Sequence, residues 1–135
     1  MYRFKGMVAP DKIRHVNGFR PITLKRYSAA DKAGLMSVLD TTGWEPQYIE
    51  GQMETVGVLA EDAENSRVLV AVDGTEIVAF VAIKFERWNR LAQTHGLIVS
   101  PDWQRQGVGS RLVHNAEEFA LSKSARGVFV DTPSI

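Results

Sequence analysis

The chain has 135 residues, of which 44% are hydrophobic and 24% charged, and this length and composition predict one globular domain. Sixteen basic and sixteen acidic side chains cancel, so the basic excess typical of nucleic-acid-binding proteins is missing. Cysteine is absent, which excludes disulfides, thiolate metal ligands and a cysteine nucleophile. The longest apolar run, 77–83, is far shorter than the roughly 20 residues of a membrane helix. We expect a cytoplasmic protein with no membrane or nucleic-acid partner.

Charge is unevenly distributed along the chain. Residues 1–18 form a basic leader without the apolar region of a secretory signal, and we assign residues 19–135 to the folded domain. Residues 28–76 carry ten acids and only two basic groups. These acids either lie on solvated helix faces or form an acidic wall that attracts a cationic ligand.

The first half of the domain predicts one strand followed by two helices. Residues 19–26 alternate apolar and polar side chains, and Pro21 favours either an edge strand or a position in the first turn of the strand. A capping-box pattern at 28–31, followed by apolar residues at helical spacing, predicts a helix over about 29–40. Proline at the first helical position predicts a second helix over about 46–63.

The second half predicts three strands, a helix and a last strand. The turn Asp73-Gly74 indicates a hairpin, and the predicted elements are strands 67–72, 76–84 and 91–99, helix 107–122 and strand 128–131. The resulting order, β-α-α-β-β-β-α-β, predicts an α/β (α+β) domain with a mixed sheet. Its last strand-helix-strand unit could be a parallel crossover.

The segment 99–112 joins a predicted strand to a predicted helix through a turn that contains two glycines. The first helical N–H groups are unpaired, and glycine lets a phosphate approach the backbone closely. Arg105 could add a charged contact. A Walker A loop is excluded because no Gly-Lys-Ser/Thr follows, and a dinucleotide-binding loop is excluded because Leu112 replaces the third glycine. A glycine-rich helix start without a ligand is the remaining alternative.

The run Gln104-Arg-Gln-Gly107-Val-Gly109, after a strand that ends in Val-x-Pro, resembles the acetyl-coenzyme A loop of the GCN5-related N-acetyltransferase family. The resemblance covers about residues 19–131 and implies an acyl-CoA N-acyltransferase-like fold. It further implies transfer of acetyl from acetyl-CoA to a primary amine, without a metal. By position, the phosphate contacts fall on Gln106, Gly107, Val108, Gly109 and Ser110, with Gln104 and Arg105 at the mouth, and the pantetheine and acetyl contacts on Ile98 and Val99.

His95 is the candidate general base. An amine must lose a proton to attack a thioester, and on a regular strand Gln93, His95, Leu97 and Val99 share one face. The string 95–99 also resembles the histidine-bearing strand of aralkylamine acetyltransferases in the same family. Gln93 cannot act as a base. The alternative for His95 is a structural histidine hydrogen-bonded within the sheet.

Family members usually continue past the strand predicted at 128–131 with a helix and two more strands, and that helix commonly supplies a tyrosine proton donor. No tyrosine of this chain corresponds to it. We expect the edge of that strand to be covered by a second copy, another chain or residues 1–18, unless the chain is part of a longer protein. The alternative function is a non-catalytic CoA-binding or interaction module, or one part of an acetyltransferase completed by another chain.

The acceptor side of the family's site falls on the acidic region that includes Asp40, Glu45, Glu50 and Glu54. The sequence therefore favours a cationic small-molecule amine or a basic peptide terminus as the acceptor.

Overall fold

The computed structural model describes residues 21–130, which form one five-stranded sheet with three α-helices. The elements are, in chain order, β1 (Thr23–Arg26), α1 (Lys32–Asp40), α2 (Pro46–Glu61), β2 (Ser66–Asp73), β3 (Glu76–Glu86), β4 (Leu91–Val99), α3 (Val108–Ser122) and β5 (Gly127–Phe129). The predicted order and fold class are confirmed. The leader predicted at 1–18 lies outside the described residues.

Several element ends differ from the sequence prediction. α1 starts at Lys32 because the preceding residues, Ala29–Asp31, form a 3-10 turn. α2 ends at Glu61, two residues early, because Asp62 leaves the helical conformation. β5 starts at Gly127, where the Arg126 N–H donates to the Arg90 carbonyl (N–O 2.6 Å) and aligns the strand with β4. β1 starts at Thr23, so the predicted strand positions 21 and 22 are not part of it, and β5 ends at Phe129, one residue before the predicted position 130. The predicted strand positions 19, 20 and 131 lie outside the described residues.

The sheet follows the chain order β1-β2-β3-β4-β5. The first three pairings are antiparallel and β4–β5 is parallel, so α3 is the predicted crossover between parallel strands. The β2–β3 turn is the predicted hairpin, in which Gly74 adopts a left-handed φ of 61°. β1 is an edge strand among the described residues, as Pro21 indicated.

Helices cover both faces of the sheet. From Ala79 to Phe85, odd-numbered side chains of β3 join the core under α3, whereas Phe80 and Ala82 join the core under α1 and α2. The inward face of α3 consists of six buried residues: Val108, Leu112, Val113, Ala116, Phe119 and Ala120. Within residues 21–130, no helix is long and apolar enough to cross a membrane.

β4 and β5 pair over only three residues each. Leu91–Gln93 lies beside Gly127–Phe129, whereas residues 95–99 have no strand partner on that side among residues 21–130. This open edge of β4 (residues 95–99) leads directly into the loop before α3, so an extended molecule could lie along the strand and reach the start of the helix.

Candidate active site

The loop between β4 and α3 is anchored at both ends by buried side chains. It starts with a 3-10 turn, Pro101–Trp103, whose Trp103 is only 3% exposed, and it ends at Val108, which is 4% exposed. Both side chains belong to the core under α3. The stretch between these anchors therefore has a fixed position at the end of β4.

The start of α3 presents free backbone amides. Gly107 is the N-cap residue with a left-handed φ of 82°, and no side chain caps the helix. The first intrahelical bond runs from the Arg111 N–H to the Gly107 carbonyl, so the N–H groups of Val108, Gly109 and Ser110 lack helical acceptors. Because the positive end of the helix dipole lies here, this amide cradle (residues 108–110) suits an anion.

Two of the residues predicted to lie at the cofactor site also brace the loop through their side chains. The Gln104 amide donates to the Val99 carbonyl (Nε2–O 3.0 Å), and the Gln106 amide donates to the Asp102 carbonyl (Nε2–O 2.9 Å). Arg105 is exposed, with a positive φ of 63°. Negative and positive φ angles thus alternate along the loop, from Gln104 (−70°) to Arg105 (63°) and on to Gly107 (82°). Such alternation is typical of concave nests of backbone amides that bind phosphate.

The hydrogen-bond ladder decides which residues of β4 face its open edge. The Ser100 N–H donates to the Val78 carbonyl (N–O 2.8 Å), so Ile98, two residues earlier, also directs its peptide groups to β3. Val99 and Leu97 alternate with these residues and face the open edge. This geometry supports the predicted backbone contact at Val99, but it favours Leu97 over Ile98 for the second contact.

A β-bulge at His95 interrupts the side-chain alternation of β4. Thr94 lies opposite Ile83 and Gly96 lies opposite Ala82, so His95 is an extra residue with no partner on β3. Leu97 consequently packs under α3, whereas Gly96 lies next to Gln52 of α2. The prediction of one shared face from residue 93 to residue 99 is therefore wrong, because it assumed a regular strand.

His95 lines a cleft of about 310 Å³ between β4 and the start of α2. The other lining residues are Trp44, Gln52, Gln93, Thr94, Gly96, Leu97 and Ile98. Gln52 reaches across the cleft and donates to the His95 carbonyl (Nε2–O 2.9 Å). The cleft thus joins the middle of β4 to the loop that carries Trp44.

The surroundings of His95 lower its pKa, although the residue as a whole is exposed at the cleft. Partial burial and the positive charge of Lys84 lower the pKa of His95, and Glu86 acts weakly in the opposite direction. Near neutral pH the ring therefore has a free nitrogen that can accept a proton. His114 lies on the exposed face of α3, 3.4 Å from Glu118, and does not line the cleft.

Sequence reasoning missed Trp44, Gln52 and Leu97. Trp44 follows the glycine turn after α1, and Gln52 lies on a helix turn that carries no recognisable motif. Their roles depend on contacts between segments about 40 residues apart, which local patterns do not encode. Whether the Leu97 amide faces the open edge depends on the hydrogen-bond pattern between β3 and β4, and the bulge at His95 shifts that pattern.

The family model described as "Acetyltransferase (GNAT) family" matches residues 36–135. The match covers most of the chain, its fold and its strand-to-helix loop, so the chain belongs to this family. The family resemblance predicted from the loop motif is confirmed.

Individual relatives agree with this assignment. Streptothricin acetyltransferase of Streptomyces lavendulae is 30% identical over 81 residues, which are 58% of this chain and 42% of that protein. The chain thus spans less than half of that relative's length.

Two solved structures share the fold. One is a GNAT-family protein, a putative acetyltransferase from Desulfovibrio desulfuricans, with a TM-score of 0.72, 16% identity and coverage of 82% of this chain and 72% of the other. The other is the PaiA N-acetyltransferase of Thermoplasma acidophilum in complex with coenzyme A, with a TM-score of 0.64, 18% identity and coverage of 78% and 75%.

Proposed function

We propose that this chain transfers an acetyl group from acetyl-CoA to a primary amine. The observation that carries the proposal is the open edge of β4, which leads at one end into the amide cradle of α3 and passes the His95 cleft at the other. A phosphate site, an extended backbone edge and a neutral base thus lie one after another along β4. Family membership supports the same activity.

Acetyl-CoA would bind along this path. Its pyrophosphate would accept hydrogen bonds from the amides of 106–110, with the guanidinium of Arg105 at the mouth of the loop. Gly109 leaves room for this approach, since a Cβ there would meet only the Val99 side chain, at 3.5 Å. The pantetheine arm would lie beside β4 as an added strand and bond the Val99 N–H.

The acetyl carbonyl would lie nearer to His95 than Val99 does. The strand rises about 3.3 Å per residue, so Leu97 lies closer to His95 than Val99 by two residues. We therefore place the thioester oxygen at the Leu97 N–H, where it polarises the carbonyl and stabilises the oxyanion of the tetrahedral intermediate. The acceptor amine would enter from the His95 cleft.

The ammonium form of the acceptor must first lose a proton, which His95 accepts directly or through one water. The free amine nitrogen then bonds to the acetyl carbon and gives a tetrahedral intermediate. This intermediate expels the CoA thiolate and loses a second proton from nitrogen, which leaves the amide. Of the two protons lost by nitrogen, one is taken up by the thiolate and one is released to solvent, so the overall reaction is balanced.

A cationic amine is the proposed acceptor class. Residues 33–66, which contribute Trp44 and Gln52 to the cleft, contain seven acids and no lysine or arginine. Glu50 and Glu54 are exposed on α2, two residues before and after Gln52, so their charges act on the cleft at long range rather than by contact. Trp44 adds an aromatic surface within the cleft, which suits a cation. A small cationic amine and a basic peptide terminus share this chemistry.

We also propose that a second copy of the chain covers the outer edge of β5. Among residues 21–130, β5 has a strand neighbour on one side only, and Phe129 is 46% exposed. A cytoplasmic location accords with the need for acetyl-CoA. Light scattering of the purified chain tests the dimer, since a monodisperse monomer would contradict it.

The function itself is tested in two stages. Calorimetry with coenzyme A measures binding, and release of free thiol from acetyl-CoA in the presence of an amine panel measures transfer. We expect binding and turnover with cationic amines. Binding without turnover over the whole panel would instead assign the chain to the non-catalytic CoA-binding class, and absence of binding would overturn the cofactor site.

A further inference from the structure

Gln52 contacts β4 at the point where the strand ladder is interrupted. The residue inserted by a bulge is left unpaired in the ladder, so its carbonyl needs a donor from elsewhere. At His95 that donor is the side-chain amide of Gln52, 43 residues earlier in the chain, at a Nε2–O distance of 2.9 Å. The bond ties helix α2 to the strand that carries the candidate base.

Gly96 makes room for this bond. A Cβ at residue 96 would lie 2.8 Å from the Gln52 Nε2 and 3.0 Å from the Phe80 ring. Any side chain there would therefore compete with the Gln52 amide for the same space. The glutamine and the glycine form a matched pair on opposite walls of the cleft.

We propose that Gln52 is a positioning residue that holds the bulge of β4 in the geometry required for acetyl transfer. This inference rests on the proposed function, in which His95 is the base and the Leu97 N–H holds the thioester oxygen. A bond to the His95 carbonyl fixes the peptide plane between His95 and Gly96. That plane sets the direction of the imidazole on one side and of the Leu97 amide on the other.

The test compares Gln52→Met with Gln47→Met. Methionine keeps the length of the side chain but removes the donor. Gln47 lies on the same helix, is exposed and bonds only to Glu45 (Nε2–Oε2 2.6 Å), so it is a matched control. In Gln52→Met we expect kcat to fall by roughly ten- to a hundredfold, because a small displacement of reacting groups is costly. Affinity for coenzyme A should stay unchanged, and Gln47→Met should behave like the parent.

The pH–rate profile separates positioning from simple loss of stability. Misplacement of His95 should shift or flatten the acid limb of the profile in Gln52→Met, at temperatures where the variant is fully folded. A parental kcat together with a parental pH profile would overturn the proposal. If Gln52→Met does not fold, Gln52→Glu takes its place, because it keeps the shape but replaces the donor with an acceptor.

A second readout does not depend on turnover. In ¹H–¹⁵N spectra, Gln52→Met should shift the Gly96 and Leu97 amides and accelerate the hydrogen exchange of the Gly96 amide, which the ladder directs to β3, whereas Gln47→Met should not. If the parent binds coenzyme A but acetylates no amine, the proposed function fails and these amides alone decide the role of Gln52. Unchanged shifts and unchanged exchange would then overturn it.

Discussion

His95 combines a cleft position with a pKa lowered by burial and by Lys84, which are the properties of a base that works near neutral pH. Removing a general base typically costs about 10²- to 10⁴-fold in rate. We therefore expect His95→Ala to lower kcat to this extent while coenzyme A affinity, measured by calorimetry, stays the same. His114→Ala on the exposed face of α3 is the control. An equal loss in both variants would contradict the assignment.

The same pKa shift predicts the pH dependence. A base must be neutral to act, and a lowered pKa keeps His95 neutral to more acidic pH than an ordinary histidine. The rate should therefore persist below the ordinary histidine pKa and fall only as pH drops through the lowered value. A kcat/KM profile measures this limb, which should vanish in His95→Ala. A limb above the ordinary value would argue for a different base.

Gly109 tests the amide cradle at the level of one residue. The added methyl groups of Gly109→Val would crowd the space beside Val99 and the free amides of α3. Coenzyme A binding should weaken by roughly tenfold or more, which corresponds to about 1.4 kcal/mol. Gly51→Val is the matched control, because Gly51 is also helical and a Cβ there meets nothing within 4 Å. Equal affinities in the two variants would refute the cradle.

At the scale of the element, the loop before α3 places a charge at a strained position. Arg105 adopts a positive φ of 63°, which glycine tolerates better, so Arg105→Gly should fold at least as stably as the parent. Loss of an exposed ion pair should weaken coenzyme A binding by only about two- to fivefold at low salt, and less at high salt. Calorimetry at two ionic strengths checks this. Undiminished affinity at low salt would exclude Arg105 from the site.

Helices, strands and turns that are specified by neighbouring residues could be predicted from the sequence. The bulge and the contacts that shape the candidate site could not. Asp73-Gly74 specifies its turn through two adjacent residues, and the glycines of the loop before α3 mark a helix start. The bulge at His95 has no local signal. It depends on the pairing of β4 with β3 and on a hydrogen bond from Gln52, and both contacts form only in the folded chain.

On the scale of the whole molecule, the sheet separates two chemically different sides. One apolar core lies under α3 and the other lies under α1 and α2, and the open edge of β4 runs between them. The edge is available because β5 pairs with β4 over three residues only. A molecule bound there contacts the amide cradle and the His95 cleft together, which no single helix or strand could provide.

The segment that forms α1 and α2 carries an excess of acidic side chains, against which Lys84 of β3 sets one positive charge near His95. The field of these acids should act on the acceptor during its approach. We expect kcat/KM for cationic amines to fall as ionic strength rises, whereas a neutral amine should show little change. The double variant Glu50→Gln, Glu54→Gln should reduce that salt dependence, because both side chains are exposed on α2.

Glu118→Gln, on α3 across the sheet, removes one negative charge away from the cleft and should leave the salt dependence as it is. Thiol release at several salt concentrations measures all three proteins against the same cationic and neutral acceptors. Since the charge acts on encounter rather than on the chemical step, kcat at saturating acceptor should stay the same in each. A preference for anionic acceptors, or equal salt dependence for charged and neutral ones, would show that the acidic side has no part in acceptor choice.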